Sequence, residues 1–551
     1  MSFLEDIFAS LERTESPVLS ETYDADTRKG VSRGIVGRDL LKQIAQGRAF
    51  LASKNLKRGD RVALLASNSV DWVAADLAFM AEGLVVVPLY SRQAASELVA
   101  MMKDCLPSLI ICGDAALRDG IVQNWPEAPP QFLLDDVFAE QSSRAGVPAP
   151  HGPFDPVAII YTSGTSGEAK GVVLNAGNLA FMLGSTSARL DQLMRGASGQ
   201  DKVFHYLPFC FAGSWIMLLT CLLRGSRLTI NTDLTKLAEQ MREAEPDYFL
   251  NVPQLLERMR KAVDEQLWKG GGLPLAIYSR AKSAFMRARE EKKTASVSIW
   301  LALANAIIFP AIRKKMIGGN LKALICGSAA LNLETQLFFM MIGVPVLQVY
   351  GLTETTAICT MDVPGDFEPG RVGPSIRGIE MKLGDNQEIL VRGPNIFSGY
   401  WNRPAETEKV MEGGWFHTGD QGEVNAAGNW KITGRIKNLI ILGSGHNIAP
   451  ESIEEEIGSR LPGAQVVLVG NCRSYLSAIV TGARSEQIQL AVDQVNSTLP
   501  HYKQVRAYRI SAEPFTIENG LLTANGKLKR DAIAQRFRAE VEEMYAVKQS
   551  V

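Results

Sequence analysis

The chain has 551 residues, too many for one compact core, so two or more domains are expected. An apolar fraction of 46% with 21% charged residues excludes a disordered or fibrous chain. With 58 basic against 59 acidic residues the formal net charge is -1, which excludes a general nucleic-acid surface. The 7 cysteines are scattered, form no CxxC pair and mostly sit in apolar runs, as in Leu109-Ile110-Ile111-Cys112, so they read as buried, inert thiols in a reducing compartment. Met1-Ser2-Phe3-Leu4-Glu5-Asp6 does not look like a signal peptide, which leaves the cytoplasm as the default.

In chain order, Leu40 to Ser53 reads as an amphipathic helix and Arg61 to Ala66 as a short buried strand after the turn Arg58-Gly59-Asp60. Val70 to Met80 is helical, and Leu84 to Val87 and Leu109 to Cys112 are strands. Continuous apolar strands separated by helices imply parallel sheets covered on both faces. Ser296 to Ile312 is apolar, flanked by Lys292-Lys293 and Arg313-Lys314-Lys315. It is shorter than the roughly 20 apolar residues of a spanning helix, so a buried helix is expected, and its basic flanks leave a peripheral membrane contact open. From Arg371 Gly and Pro become dense, and Glu388 to Arg392 alternates, which predicts a β-rich subdomain. After Gly434-Arg435 the pattern restarts with helices Ile448 to Ile457 and Gln487 to Thr498 and a strand, Gln465 to Val469. The expected domains are therefore 1–436 and a small α+β domain, 437–551, with the boundary near Lys437.

The strongest local signal is Tyr161-Thr162-Ser163-Gly164-Thr165-Ser166-Gly167-Glu168-Ala169-Lys170-Gly171, between the apolar strands Val157 to Ile160 and Val172 to Leu174. Glycines let backbone N–H groups approach an anion, hydroxyls add donors, and Lys170 adds charge, a combination suited to a polyphosphate. It is not the GxxxxGK[ST] loop, and a ligand-free Gly/Ser hairpin is the bland alternative. Tyr350-Gly351-Leu352-Thr353-Glu354 follows the mostly apolar Val344 to Val349 and offers an aromatic for a purine, a hydroxyl for a phosphate and a carboxylate for Mg²⁺. Then come Gly414-Trp415-Phe416-His417-Thr418-Gly419-Asp420, whose acid can accept from ribose hydroxyls, and Gly434-Arg435-Ile436-Lys437. Gly443-Ser444-Gly445-His446 and Asn525-Gly526-Lys527 complete the series. Each alone reads more simply as a turn or a solvated charge cluster.

Together and in this order, from about Ile35 to Arg530, the motifs resemble the adenylate-forming superfamily of acyl-CoA synthetases, luciferases and nonribosomal-peptide adenylation domains. A helical insert over about 255–317 resembles that of long-chain fatty acyl-CoA synthetases, and it leads to Cys326-Gly327-Ser328-Ala329, where the family has its adenine-binding loop. The resemblance implies an α/β fold: a large N-terminal domain of parallel sheets covered by helices, with a β-rich subdomain, then a small C-terminal domain on a hinge. It implies that Thr162, Ser163, Gly164, Thr165, Ser166, Gly167 and Lys170 hold the β- and γ-phosphates. Gly327, Ser328, Ala329, Tyr350 and Gly351 would frame adenine, Thr353 would meet the α-phosphate, and Glu354 would ligate Mg²⁺. Asp420 and Arg435 would bind ribose, Lys437 would be the hinge and Lys527 the adenylation lysine. Gly445 and His446 would lie in the loop used in thioester formation, and Phe211 would border the acyl pocket.

Departures from the family pattern leave those positions intact. Ala169 replaces the usual Pro, Asn175-Ala176 a Thr-His pair, Phe211 the His of an LPxxH stretch, and Gly434 the frequent Asp. The implied activity is ATP-dependent conversion of a fatty acid to its acyl-AMP and then to a thioester with coenzyme A. Two other readings stay open: transfer of the acyl group to a carrier protein, and a catalytically silent acyl-adenylate or lipid-binding protein. Amino-acid activation fits less well, because the neighbours of Phe211 include no acid to pair with an amine. The implied partners are ATP, Mg²⁺, coenzyme A and a fatty acid, with no nucleic acid; a homodimer stays open.

Overall fold

Arg61–Leu65, Val85–Pro88 and Leu109–Cys112 lie side by side as parallel strands in the computed structural model, with Val62 opposite both Val86 and Leu109. The structure describes residues 2–22, 32–139, 143–144, 146–163, 169–195, 199–290, 299–523 and 526–546. The helix Val70–Ala81 links the first two of these strands. Ser69 caps it, accepting from the Trp72 N–H, and every residue but Asp71 is buried. A helix apolar all round can only be an interior layer, and the strands it joins are accordingly buried on both faces.

The full sheet has seven strands, in the order Gly399–Tyr400, Ala169–Asn175, Pro156–Ser163, Val85–Pro88, Arg61–Leu65, Leu109–Cys112 and Gln131–Leu133. A second sheet has eight, in the order Thr360–Met361, Val346–Tyr350, Ala323–Cys326, Tyr248–Asn251, Lys202–His205, Arg227–Ile230, Pro17–Thr22 and Ser32–Val36. Both are parallel at their centres and carry antiparallel pairs toward their edges. The β-rich stretch after Arg371 forms a five-stranded sheet from Glu380–Leu383, Glu388–Arg392, Met411–Glu412, Trp415–Val424 and Trp430–Arg435.

Packing divides the chain into two compact units, Met1–Glu380 with Val391–Phe416, and Met381–Leu390 with His417–Val551. The division by packing therefore falls ahead of Lys437, and the hairpin carrying Asp420 and Arg435 belongs to the second unit. That unit also holds the sheet Gln465–Val469, Leu476–Thr481 and Val505–Ser511, covered by helices Glu451–Arg460 and Ser485–Asn496.

Three expectations change in detail. The helix expected at Ile448 begins at Glu451, because the residue before Pro450 is pushed out of the helical region, and Asn447–Ile448 pairs instead with Ile440–Ile441. The apolar run expected as a buried helix from Ser296 begins outside the described residues. From Ile299 it is helical, with a π-turn at Ala304–Ile308 just ahead of Pro310, whose ring cannot serve the carbonyl four residues back. One face enters the core through Ala304, Ile308, Phe309 and Ile317, but Ile299 is 74% and Ile307 58% exposed. It is an amphipathic helix. No helix among the described residues is long and apolar enough to cross a membrane. Six cysteines are buried as expected, whereas Cys472 is exposed in a turn at φ 57°.

One buried ion pair anchors the segment that follows Lys527. Arg530 forks onto both carboxylate oxygens of Glu454, which also accepts from the Leu468 N–H at 2.6 Å. Burial pushes the Glu454 carboxyl up and Arg530 opposes this. Truncating one member of a buried pair strands the other, so Glu454→Ala should cost about 3–5 kcal/mol. Denaturant unfolding of the whole chain measures it, and an unchanged midpoint would remove the pair from the stability of this unit.

Candidate functional site

The hairpin that presents the Gly/Ser-rich loop is built by β-branched and aliphatic residues. Pro156–Ser163 and Ala169–Asn175 pair antiparallel, with Thr162 opposite Lys170 and Ser163 opposite Ala169. Lys170 is thus a strand residue, held by the ladder on its own backbone. Gly164, Thr165, Ser166 and Gly167 lie outside the described residues. The Lys170 ammonium pairs with Glu406 and lies 5.1 Å from the centre of the Tyr400 ring.

Tyr400 donates to Glu354 Oε1 at 2.9 Å, so Lys170 and Glu354, far apart in sequence, meet through one aromatic side chain. Glu354 sits in the 3₁₀ turn Thr353–Thr355, directly after the strand Val346–Tyr350. The turn is held from several sides. Thr355 Oγ1 accepts from the Leu352 N–H at 2.9 Å, Thr356 Oγ1 donates to the Asn395 carbonyl at 2.7 Å, and the Phe397 N–H donates to the Glu354 carbonyl at 2.9 Å.

Gly327, Ser328 and Ala329 leave the carboxyl end of Ala323–Cys326, which pairs parallel with Val346–Tyr350 through Cys326 and Gln348. The two expected adenine loops therefore emerge from neighbouring strand ends, where open α/β sheets place their ligand crevices. Two backbone features mark the spot. Ser328 has φ +72°, a conformation that costs a non-glycine residue free energy. At Gly351 a Cβ would lie 2.3 Å from the Ala357 carbonyl oxygen, so no larger residue fits the turn.

In the second unit, Asp420 and Arg435 face each other across the hairpin Trp415–Val424/Trp430–Arg435, and Arg435 Nε lies 2.7 Å from Asp420 Oδ1. Asp420 is 3% exposed, so its side of this pair is buried. Lys437 follows in the turn Ile436–Asn438. Burial, then the positive charge of Arg435, and further that of Lys527, brings its ammonium down to about 8, against the pull of Asp531 and Asp420. Arg435, Lys437, Lys527, Asp420 and Asp531 are thus one electrostatic cluster. Lys527 is exposed, with its N–H donating to Thr523 Oγ1 at 3.1 Å. Gly445 adopts φ +82°, and the exposed His446 hydrogen-bonds Ser444 at 2.9 Å and stacks on Tyr502 with ring centres 4.3 Å apart.

Phe211 precedes the helix Ala212–Arg224 and packs 5.8 Å from the Tyr90 ring, beside buried Cys210, so its surroundings are apolar. Three residues carried no motif in the sequence. Tyr400 and Glu406 lie in the segment Gly399-Tyr400-Trp401-Asn402-Arg403-Pro404-Ala405-Glu406, whose only signal was a Gly-aromatic-Pro-acid cluster. Asp76, inside an otherwise apolar helix, is fully buried under Trp215, whose Nε1 donates to it at 2.9 Å. Burial pushes its carboxyl up to about 7, and the other carboxylate oxygen has no partner.

Comparison with known proteins identifies the family and the fold. The AMP-binding enzyme family model matches residues 31–401, and that of the AMP-binding enzyme C-terminal domain matches 437–549. The chain belongs to the AMP-binding enzyme family. Among its relatives, the long-chain-fatty-acid–CoA ligase FadD15 of Mycobacterium bovis is 25% identical, covering 94% of this chain and 93% of its own. The chloroplastic long-chain-fatty-acid–[acyl-carrier-protein] ligase AEE15 of Arabidopsis thaliana is 26% identical over 92% of this chain and 82% of its own. The fold matches that of ATP-bound MatB from Rhodopseudomonas palustris with a TM-score of 0.74, at 24% identity, covering 98% of this chain and 99% of that one.

The Lys437 cluster has a measurable consequence. Its pKa falls from an ordinary 10.5 to about 8 on folding, so between those values the unfolded chain binds more protons. Stability therefore rises with pH across that window, and below it the cost of the buried ammonium is fully present. Lys437→Met should raise Tm at pH 7, with the gain shrinking as pH approaches 10.5. A Tm difference constant across this range would mean that Lys437 carries no such cost.

Proposed function

We propose that this chain activates a long-chain fatty acid with ATP, forming the acyl-AMP, and then transfers the acyl group to the thiol of coenzyme A. The observation that carries the reading is a lysine on the Gly/Ser hairpin and a separate cation cluster, together with ligand-shaped backbone. Lys170 stands on the hairpin of the Gly/Ser loop, Arg435 pairs with the buried Asp420 while Lys437 feels both Arg435 and Lys527, and a tight Gly351 turn closes the strand end before Glu354.

In the first step an oxygen of the fatty carboxylate attacks the α-phosphorus of ATP and pyrophosphate departs. Lys170 and the Gly/Ser loop bind the departing phosphates, and Thr353 and Lys527 donate to the α-phosphate, where negative charge grows. Cations fixed before the reaction need no reorganisation as that charge develops. Glu354 is the carboxylate for Mg²⁺, an ion that needs only one or two protein carboxylates beside phosphate oxygens. When bound, Mg²⁺ neutralises charge on the phosphates. Asp420 accepts from the ribose hydroxyls and Arg435 positions its carboxylate, while Tyr350 with Gly327, Ser328 and Ala329 encloses adenine.

In the second step the coenzyme A sulfur attacks the acyl carbon and AMP leaves as the phosphate. Gly445 and His446 line that approach. Because Lys527 serves one step and the Gly445 loop the other, the domain 437–551 turns about Lys437 between them. Long-chain specificity is supported by the helical insert, by apolar Phe211 beside Tyr90, and by the relatives that bear that name.

Pyrophosphate release over a panel of acids, with and without coenzyme A, tests this reading. Acids of roughly twelve carbons or more should exceed acetate in kcat/KM, since each buried CH₂ contributes about 0.8 kcal/mol. Highest activity with acetate or an amino acid would sink the substrate assignment. Acyl-AMP formation without any coenzyme A thioester, but with transfer to an acyl-carrier protein, would move the acceptor. Lys527→Ala should lose acyl-AMP formation by orders of magnitude while thioester synthesis from supplied acyl-AMP persists. Equal loss of both half-reactions would refute that role for Lys527.

A further inference from the structure

Both groups expected to meet the metal and the polyphosphate are engaged by a single short segment of the chain itself. The Glu406 carboxylate pairs with the Lys170 ammonium, and the Tyr400 hydroxyl donates to Glu354 Oε1 at 2.9 Å. The chemistry matches at each end. A carboxylate on a lysine has the charge and acceptor atoms of a phosphate oxygen, and a phenolic proton on a carboxylate takes the place of a cation.

The segment is held in position by contacts that touch neither Lys170 nor Glu354. Gly399 and Tyr400 pair antiparallel with Val173 and Val172, and the Tyr400 N–H donates to Thr407 Oγ1 at 2.9 Å. Pro404 starts the helix Pro404–Val410, which carries Glu406. Arg403 braces the start of that helix, 3.2 Å from Glu406 and 3.6 Å from Asp104, which in turn accepts from Tyr161 at 2.6 Å. Gly399 sits at φ +140°, where an added Cβ would be 2.8 Å from the Thr407 side chain, so the bend between strand and helix is tied to glycine. The pair Lys170–Glu406 is half-buried, at 17% and 30% side-chain exposure, which leaves both groups within reach of an incoming ligand.

We propose that Gly399–Glu406 is a built-in stand-in for metal-bound polyphosphate: Glu406 occupies Lys170 and Tyr400 occupies Glu354 until nucleotide displaces them. This deepens the ATP-dependent reading above and rests on it. Its function is twofold. It keeps a lysine and an acid poised without a ligand, and it makes polyphosphate binding an exchange of partners, which weakens retention of pyrophosphate after the first step. Glu406 is a positioning residue in this scheme, acting through Lys170.

The test is binding of MgATP, and separately of magnesium pyrophosphate, to the full chain by calorimetry. Glu406→Gln keeps an acceptor for Lys170 but removes the competing charge, so it should tighten both ligands roughly three- to five-fold, the scale of a partly exposed ion pair. The same substitution in a Lys170→Ala background should change neither, because no exchange remains to be relieved. Unchanged or weaker binding by Glu406→Gln would overturn the proposal, and so would an equal gain in the Lys170→Ala background, which would reflect charge repulsion alone. Absence of any MgATP binding by the wild-type chain would remove the ATP-dependent function and this inference with it. Normal wild-type binding with an unresponsive Glu406→Gln would remove the inference only.

Discussion

A protein built to hold a polyanion must concentrate positive charge before that ligand arrives, and concentrated charge opposes folding unless something answers it. In this chain the answer is supplied residue by residue. Lys170 is met by Glu406 and Arg435 by Asp420, while Lys437 has the partial support of Asp531 and Asp420. The ammonium of Lys437 is nevertheless brought down to about 8, by burial first and by the charge of Arg435 next. The carboxylates chosen for this task differ in depth. Asp420 is almost wholly buried and its pairing is part of the hairpin, whereas the Glu406 side chain is 30% exposed.

The sheets provide the rigidity that such placement needs. Parallel strands buried on both faces are held by close packing from the layers above and below. Their carboxyl ends then become fixed points, and Gly327 and the Tyr350–Thr353 turn leave two adjacent ones. The turn tolerates no side chain at Gly351 and forces Thr356 and Ala357 to φ +51° and +81°. Backbone held in sparsely populated conformations by surrounding hydrogen bonds is a common mark of a preorganised site.

In the second unit the same economy serves a different end. Glu454 and Arg530, buried between the helix Glu451–Arg460 and the chain's last helices, fix the stretch just after Lys527. Lys527 itself stays exposed on a short turn. The ion pair thus fixes the chain a few residues beyond an exposed lysine.

Much of this was legible in the sequence, for reasons that are local. Apolar runs such as Leu109–Cys112 and Gln465–Val469 declare buried strands because strand burial depends on consecutive residues, and both appear where they were expected. The glycine-rich motifs mark turns because only particular residues adopt the backbone they need. What could not be read were relations between distant segments. Nothing local in Tyr400 or Glu406 announces that each will meet a partner from another segment, because that meeting is decided by the pairing of Gly399–Tyr400 with the strand Ala169–Asn175. The helix after Ile299 reads as buried because hydropathy counts apolar residues but not the faces that packing leaves open. The sequence alone determined which elements form and which residue types the chemistry requires; tertiary structure decided which charges answer one another, since electrostatic partnership depends on distance in space and not along the chain.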